Sequence, residues 1–424
     1  MIWVMIATFF VFVALGMPVA FAMGSSALLY ILVEGVPLEI VSQRFLSNTQ
    51  SFAFLAVPFF ILMGNLMVEG QIAQRIINVV HAGVRQLPGG LGCVSVVTSM
   101  GMAGVSGSSV ADASSVGSVL IPEMKRKGYS SSFAAAINAS SSVVGIIIPP
   151  SSTMIIIAWL ADLSVADMFL AGIIPGILIG LAYLALTIVT SLRRGYPRGD
   201  RPRLKEFVVD VRRAFWALLL PIVLIYVIVT GVATPTEAAA IAAVYAFIVS
   251  FLVYRTLSVR GLVRAIKGAA YGTTVIMLIV CTSTIFSYVL ISERVPQLIS
   301  DGLLGMGLPD WGIKVALVLV LLVAGAVMDL VPNLFIFIPI FFPIATELGM
   351  DPVHFGIVML CTLALGLFTP PIGTTLFISC HLAKIRMEQV TRDLVPYFAV
   401  GAAVVFLLMF VPALTTWIPG LIDG

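Results

Sequence analysis

Charged side chains are scarce in this chain of 424 residues: 10% are Asp, Glu, Lys or Arg, whereas 60% are hydrophobic and the mean hydropathy is +1.13. No polar stretch is long enough to form a soluble domain, which excludes most soluble enzymes and nucleic-acid-binding proteins. Apolar runs of about 20 residues, the length that crosses a bilayer, recur almost from end to end. We therefore predict an all-α polytopic membrane protein.

Histidine and cysteine are also rare, with three and four residues respectively. The histidines lie far apart, and the cysteines lie within or beside apolar runs without the paired spacing that metal sites use. Neither a phosphate-binding loop nor a nucleotide fingerprint occurs. We therefore expect no enzymatic activity, no cofactor and no nucleic-acid partner. Because no basic residue precedes the first apolar run, we also expect the first helix to remain in the mature protein.

Glycine and proline recur at a constant spacing in two parts of the chain. An offset of 221 residues relates Gly104, Pro122, Gly128, Gly145, Pro149, Pro150 and Pro175 to Gly325, Pro343, Gly349, Gly366, Pro370, Pro371 and Pro396. Random placement of the same residues would give about one such coincidence. The pattern predicts two repeats, at 1–192 and 214–424, joined by a linker at 193–213.

The distribution of basic residues indicates that the two repeats have opposite orientations in the membrane. Lys125, Arg126 and Lys127 lie together and are expected in the cytoplasm, whereas the equivalent segment 343–350 carries no basic residue and is expected outside. The linker 193–213, with eight basic and three acidic residues, is also expected in the cytoplasm. Five crossings and one hairpin in each repeat would place both termini outside.

Each repeat contains a polar stretch that is unsuited to a continuous membrane span. Residues 104–122 include six serines, three glycines and Asp112, and the basic residues on either side predict the same face of the membrane. We therefore predict re-entrant hairpins at about 90–122 and 312–343. Their tips, at 106–112 and 327–333, would be buried in protein or line an aqueous cavity. An ionisable residue at this depth is a candidate functional residue, although an aspartate can also simply cap a half-helix.

Paired prolines interrupt the predicted helices at 131–160 and 352–381. Because proline lacks an N–H group, the carbonyls one turn earlier lose their helical donors. Such carbonyls, with nearby serine and threonine hydroxyls, are hard oxygen ligands suited to an alkali cation, and half-helix N termini favour a carboxylate. Broken helices at matched positions of an inverted repeat indicate a transporter's midplane binding site. The alternative is a pair of proline kinks that serve packing only. Glu237 is interpreted as a helix N-terminal residue rather than a proton carrier.

Four segments carry a resemblance to a known family: GMAGVSGSSVADASSVGSVLIPEMKRKGY, PFFILMGNLM, TPTEAAAIAAVYA and LGLFTPPIGTTLF. On these segments the chain resembles the large membrane subunit of the tripartite ATP-independent periplasmic (TRAP) transporters, nearly from end to end. The resemblance implies an elevator-type transporter of the bacterial inner membrane. It would import a small organic anion, such as a C4-dicarboxylate or sialic acid or another sugar acid, together with sodium. It would act with a four-helix small membrane subunit and a periplasmic solute-binding protein, both separate polypeptides.

The resemblance also implies functional residues in both repeats. Sodium ligands are expected at Ser106, Ser108, Asp112, Gly145, Pro149, Ser151, Asp329, Asn333, Gly366, Thr369 and Gly373. Substrate contacts are expected at Ser109, Ser152, Thr153, Pro332 and Thr374. In the register of the repeats, Asp112 corresponds to Asn333, and Asp329 adds a second carboxylate.

Two other functions fit the same architecture. One is a stand-alone symporter of divalent anions coupled to sodium or protons, which needs no binding protein. The other is the membrane subunit of a sodium-pumping decarboxylase. Neighbouring reading frames distinguish the three functions: a four-span protein and a secreted binding protein favour the first, and a biotin-carrier or carboxyltransferase frame favours the decarboxylase.

The predicted inversion is testable by chemical labelling. Cysteines introduced as Lys125→Cys and Glu347→Cys, in a chain whose native cysteines are replaced, should react with a membrane-impermeant maleimide from opposite faces of the membrane. The reason is that the positive-inside rule assigns these loops to opposite sides. Labelling of both from the same side would refute the inverted repeat.

Overall fold

The computed structural model describes residues 1–49, 52–199, 204–305 and 307–422, and these residues form helices and no β-strand. The helices of the first half are α1 (Ile2–Ala14), α2 (Val19–Glu34), α3 (Glu39–Thr49), α4 (Ala56–Glu69), α5 (Ile72–Val84), α6 (Gly90–Ser106), α7 (Ser109–Arg126), α8 (Ser131–Ser142), α9 (Ser152–Leu160) and α10 (Val165–Arg194). Those of the second half are α11 (Leu204–Val229), α12 (Pro235–Ile248), α13 (Val259–Ser292), α14 (Val295–Gly305), α15 (Asp310–Val327), α16 (Leu330–Glu347), α17 (Pro352–Gly366), α18 (Thr374–Ala383), α19 (Met387–Phe410) and α20 (Ala413–Ile422).

Seven of the described helices are long and apolar enough to cross a membrane, namely α10, α11, α12 with the π-helical turn Val249–Val253, α13, α15, α16 and α19. The consecutive helices α4 and α5 also meet the criterion as a pair, but they are bent by 66° at their junction. Large apolar side chains on the outer helices are exposed, such as Phe10 and Tyr271, as expected for surfaces that face lipid. The predicted class, an all-α polytopic membrane protein, is confirmed.

The helix boundaries recur in the two halves of the chain. Helices α7 and α16 both have 18 residues, and α16 begins 221 residues after α7. Helix packing recurs as well: α2 packs against α13 as α12 packs against α4, and α7 packs against α18 as α16 packs against α9. This agreement supports an internal duplication.

Both arms of the second hairpin have the length and composition of membrane spans, so the re-entrant course and the inverted orientation stay predictions.

Local sequence explains where several of these helices begin and end. Helix α12 starts with a capping box, in which Glu237 accepts the Thr234 N–H at 2.8 Å and Thr234 Oγ1 accepts the Glu237 N–H at 3.3 Å. This geometry agrees with the interpretation of Glu237 as a helix N-terminal residue. At the end of α7, Lys125 Nζ donates to the Ala383 carbonyl at 2.8 Å, which satisfies a free carbonyl at the C terminus of α18.

Helices α15 and α17 approach each other through two glycines that the repeat pattern had identified. A β-carbon on Gly366 would overlap the backbone of Gly325, so only glycine fits at position 366 without displacing α15. The close approach holds the second hairpin against the first half of the second broken helix.

This contact predicts a stability effect that opposes helix propensity. Alanine normally stabilises a helix by about 1 kcal/mol relative to glycine, but Gly366→Ala should lower stability by about 1–3 kcal/mol because it overpacks the interface. Gly302→Ala is the matched control, since a β-carbon there meets no atom within 4 Å. Thermal unfolding in detergent should give a lower melting temperature for the first variant and an unchanged or higher one for the second. Equal melting temperatures would contradict the close approach.

Candidate substrate and cation site

The tip of the first hairpin is a short break between α6 and α7. Gly107 has φ +55°, a left-handed conformation that glycine adopts without steric cost. Ser108 is extended and begins α7, and its hydroxyl oxygen accepts the Ala111 N–H at 3.4 Å. Ser152 Oγ donates to the Gly107 carbonyl at 3.1 Å. The tip is thereby attached to the second half of the first broken helix. The side chain of Ser106 lies outside the described part of the structure.

Asp112 is fully buried behind this tip, in the first turn of α7. Its Oδ2 lies so close to Gly145 that a β-carbon at position 145 would overlap it. The Ser99 carbonyl oxygen lies 3.6 Å from that β-carbon position. The Ser99 and Ser141 hydroxyl oxygens are 3.3 Å apart. The structure therefore brings Asp112 and Gly145 together within a cluster of oxygen atoms. Sequence reasoning missed Ser99 and Ser141, because each lies in a helix with several other serines and nothing in the sequence distinguishes it from them.

The first broken helix changes direction at its two prolines. Helix α8 continues into a 3-10 turn, Val143–Ile146, and α9 begins after Ser151. Pro149 is buried and does not line the cavity described below. Ser151 is also buried, and its hydroxyl forms no hydrogen bond with the described residues. The Ser151 oxygen is therefore free to act as a ligand.

The tip of the second hairpin, at Met328 and Asp329, is closed by the side chain of Asn333. Asn333 Nδ2 donates to the carbonyls of Ala324, Met328 and Asp329 at 3.2, 3.0 and 3.1 Å. Its Oδ1 is buried and accepts no hydrogen bond from the described residues. Asn333 thus holds the tip with its amide nitrogen and leaves its oxygen available.

Asp329 is exposed at this tip and lines the cavity described below. Asp329 is the N-cap residue of α16, and its carboxylate accepts no side-chain capping hydrogen bond there. Thr374 Oγ1 donates to Asp329 Oδ1 at 3.4 Å. Thr374 therefore contacts the carboxylate rather than lining the cavity, and Pro332 is buried within α16.

The second broken helix places three further predicted residues around its break. Gly366 ends α17 at its close approach to α15, and Gly373, with φ +38°, immediately precedes α18. Thr369 Oγ1 donates to the Leu365 carbonyl at 2.6 Å. Gly366, Thr369 and Gly373 lie at the break that precedes Thr374, which contacts Asp329. None of the three lines the cavity.

A cavity of about 360 Å³ lies between the two hairpin tips and the pair α4 and α13. Five predicted residues line it: Ser108, Ser109, Ser152, Thr153 and Asp329. The opposite wall, which sequence reasoning did not assign, includes Gly64 and Asn65 of α4 and Gly268 and Gly272 of α13. Gly268 and Gly272 are four residues apart and so lie on one face of α13. This glycine spacing is the sequence signal for the opposite wall that was missed.

The electrostatics of this cavity come from helix ends rather than from basic side chains. Among the lining residues, Asp329 is the only charged one. The first turns of α7, α9 and α16 all contribute to the wall. Free N–H groups and aligned peptide dipoles make these N termini partially positive. The arrangement can bind a small anion beside a carboxylate that is itself able to hold a cation.

The described residues contain no group of three or more His, Cys, Asp or Glu side chains that could hold a metal ion. Of the histidines, His354 is buried in α17 and its Nδ1 lies 2.7 Å from Thr415 Oγ1. The four cysteines are buried and form no disulfide.

Comparison with known proteins identifies relatives over almost the whole chain. The family model of the tripartite ATP-independent periplasmic transporter, DctM component, matches residues 6–414. The uncharacterized protein YgiK of Salmonella typhimurium is 37% identical over 422 residues, which cover 99% of this chain and 97% of YgiK. The C4-dicarboxylate TRAP transporter large permease protein DctM of Pseudomonas aeruginosa is 34% identical over 395 residues, covering 93% and 92% of the two chains.

A solved structure shares the fold at much lower sequence identity. The YdaH transporter of Alcanivorax borkumensis aligns with a TM-score of 0.60 and 14% identity, over 90% of this chain and 89% of YdaH. This likeness supports the fold only, whereas the family model and the relatives above 30% identity support membership of a family. The chain therefore belongs to the family of large membrane components, the DctM components, of the TRAP transporters.

Proposed function

We propose that this chain is the transport subunit of a sodium-coupled importer of a small organic anion in the bacterial inner membrane. The observation that carries the proposal is the convergence of three helix N termini, those of α7, α9 and α16, on one cavity. Helix N termini bind carboxylates through free N–H groups and the positive end of the dipole. Ser109 and Thr153 add hydroxyl groups there.

A carboxylate is the substrate class that this cavity favours. Its volume of about 360 Å³ falls within the range of small-molecule sites, roughly 300–1,000 Å³. Related permease proteins carry names that differ in substrate: C4-dicarboxylate in Pseudomonas aeruginosa, 2,3-diketo-L-gulonate in Escherichia coli and sialic acid in Vibrio cholerae. All three are carboxylates, so the shared feature is the group that the helix N termini would hold.

Two clusters of oxygen atoms support sodium coupling. The first contains the Asp112 carboxylate beside Gly145 and the Ser99 carbonyl. The second contains the Asp329 carboxylate and the Thr374 hydroxyl, close to the break between Gly366 and Gly373. The fully buried carboxylate of Asp112 costs several kcal/mol within a membrane protein, and a bound cation offsets that cost. Because each cluster adjoins a helix N terminus of the cavity, a cation there would also favour the anionic substrate.

The family relationship supports two protein partners. In our proposal a four-helix small membrane subunit binds the large subunit in the membrane, and a periplasmic solute-binding protein delivers the anion. The match to the large component over residues 6–414 favours this assembly over a stand-alone symporter or a decarboxylase subunit.

Sodium coupling predicts a simple transport result. Uptake by the complex reconstituted in proteoliposomes should require an inward sodium gradient and should fall about tenfold or more when choline replaces sodium. The control is an equal potassium diffusion potential in both buffers, so that membrane voltage does not differ. Uptake that is unchanged in choline would overturn sodium coupling.

Asp329 provides a test at a single residue. Asp329→Ala should reduce sodium-driven uptake about 10- to 100-fold, because a charge-assisted ligand contributes about 1.5–3 kcal/mol. Asp329→Asn should lose most of its sodium dependence as well, since it keeps the shape but not the charge. Asp310→Asn is the matched control, because Asp310 is an exposed aspartate in the first turn of α15 away from the cavity. Sodium dependence in Asp329→Asn equal to that of the wild type would remove this carboxylate from the ion site.

A further inference from the structure

A second cavity, of about 220 Å³, lies at the base of the first hairpin. It is enclosed by the end of α5, the start of α6, the end of α7 and the segment 197–199 that follows α10. None of its lining residues also lines the substrate cavity. This base adjoins the basic loop that the positive-inside rule assigns to the cytoplasm.

Helix α6 begins in the wall of this cavity without a side-chain cap. Its first residues follow Gly89, which has φ +70° and carries no side chain that could accept a hydrogen bond, and Leu91 of the first turn lines the cavity. A helix of 17 residues has free N–H groups and a positive dipole end at its start. The Tyr129 hydroxyl oxygen faces the N–H groups of Leu91 and Gly92 at this position, and the positive dipole end extends to any anion beside it.

Tyr129 supplies an independent observation that points to a ligand. Its side chain is only 4% exposed and lines the cavity. The hydroxyl oxygen faces the N–H groups of Leu91 and Gly92, but the O–H has no acceptor among the described residues. The ring is held by stacking on Tyr196, with centroids 4.4 Å apart and an interplanar angle of 10°. Buried tyrosine hydroxyls usually have a hydrogen-bond partner, so this oriented hydroxyl favours a polar ligand in the cavity.

The charged side chains around the cavity favour an anion. Arg85, Lys127 and Arg198 line it, and Glu123 is the one acidic lining residue. Arg85 also pairs with Glu206 at 2.9 Å. Lys127 and Arg198 form no ion pair with the described residues, which leaves both cations available.

We propose that this cavity binds a phosphate-type oxyanion, which is either the headgroup of an anionic phospholipid or a free phosphate ion. The Tyr129 O–H donates a hydrogen bond to one of its oxygens, the N terminus of α6 adds a partial positive charge, and Arg198 and Lys127 neutralise its charge. The bound group joins α5 and the inter-repeat linker to the base of the first hairpin. Its binding therefore stabilises the arrangement that the structure describes.

Thermal unfolding of the purified full chain tests this site in two arms. In the first, inorganic phosphate is titrated against chloride at matched ionic strength, in detergent. In the second, nanodiscs of phosphatidylcholine are compared with nanodiscs that also contain phosphatidylglycerol, in phosphate-free buffer. A rise in melting temperature in the first arm supports a free phosphate, and a rise only in the second supports a lipid headgroup. The absence of a rise in both arms overturns the proposal.

Three variants separate this site from general charge effects. Arg198→Gln and Tyr129→Phe should each weaken the apparent affinity about tenfold, as expected for the loss of one charge-assisted hydrogen bond. Arg126→Gln makes the same charge change as Arg198→Gln at the neighbouring end of α7, outside the cavity, and should bind as the wild type does. Size-exclusion chromatography verifies that each variant is folded. Equal weakening in Arg126→Gln and Arg198→Gln, or full affinity in Tyr129→Phe, would reduce the effect to nonspecific charge screening and overturn the site.

Discussion

Lipid offers the polypeptide backbone no hydrogen-bond partner, so every interruption of a membrane helix must be satisfied by the protein itself. The breaks in this chain meet that constraint with side chains from neighbouring segments. The Gly107 carbonyl at the first tip accepts from Ser152. The carbonyls of the second tip accept from Asn333, and the Leu367 carbonyl accepts both the N–H and the hydroxyl of Thr375. Each hairpin also hydrogen-bonds to its broken helix, through Ser152 in the first half and Thr374 in the second, so the two elements form one unit.

Gly145 and Gly366, which the 221-residue offset relates, pack against different groups. Gly145 leaves room for the carboxylate of Asp112, whereas the equivalent Gly366 leaves room for the backbone of Gly325. At the position that the 221-residue offset pairs with Asp112, Asn333 turns back onto its own tip. The second half presents its carboxylate instead from Asp329, at the surface of the cavity. The carboxylate is therefore buried in the first half and accessible in the second.

The substrate cavity depends on how these units face α4 and α13. That pair is held together by Arg264 and Glu69, whose groups approach to 2.7 Å, and by Asn65 Nδ2, which donates to the Ala265 carbonyl at 3.4 Å. An exposed ion pair contributes little by itself, so the apolar contacts of α4 with α12 and α13 provide most of the rigidity. Because the tips form the other wall, a displacement of the hairpins relative to this pair would change the access to the cavity.

The sequence by itself determined the membrane class and the positions of the helix breaks, because these depend on local properties. Apolar run length defines a span, Gly107 permits a positive φ, and the paired prolines remove backbone donors wherever they occur. Asp112, Gly145 and Asp329 could be named on the same grounds. Only the tertiary structure decided that Asp112 lies against Gly145, that Thr374 supports Asp329 and that Pro332 is buried. It alone placed the glycine faces of α4 and α13 opposite the tips, because contacts between segments far apart in the chain depend on packing that local sequence does not encode.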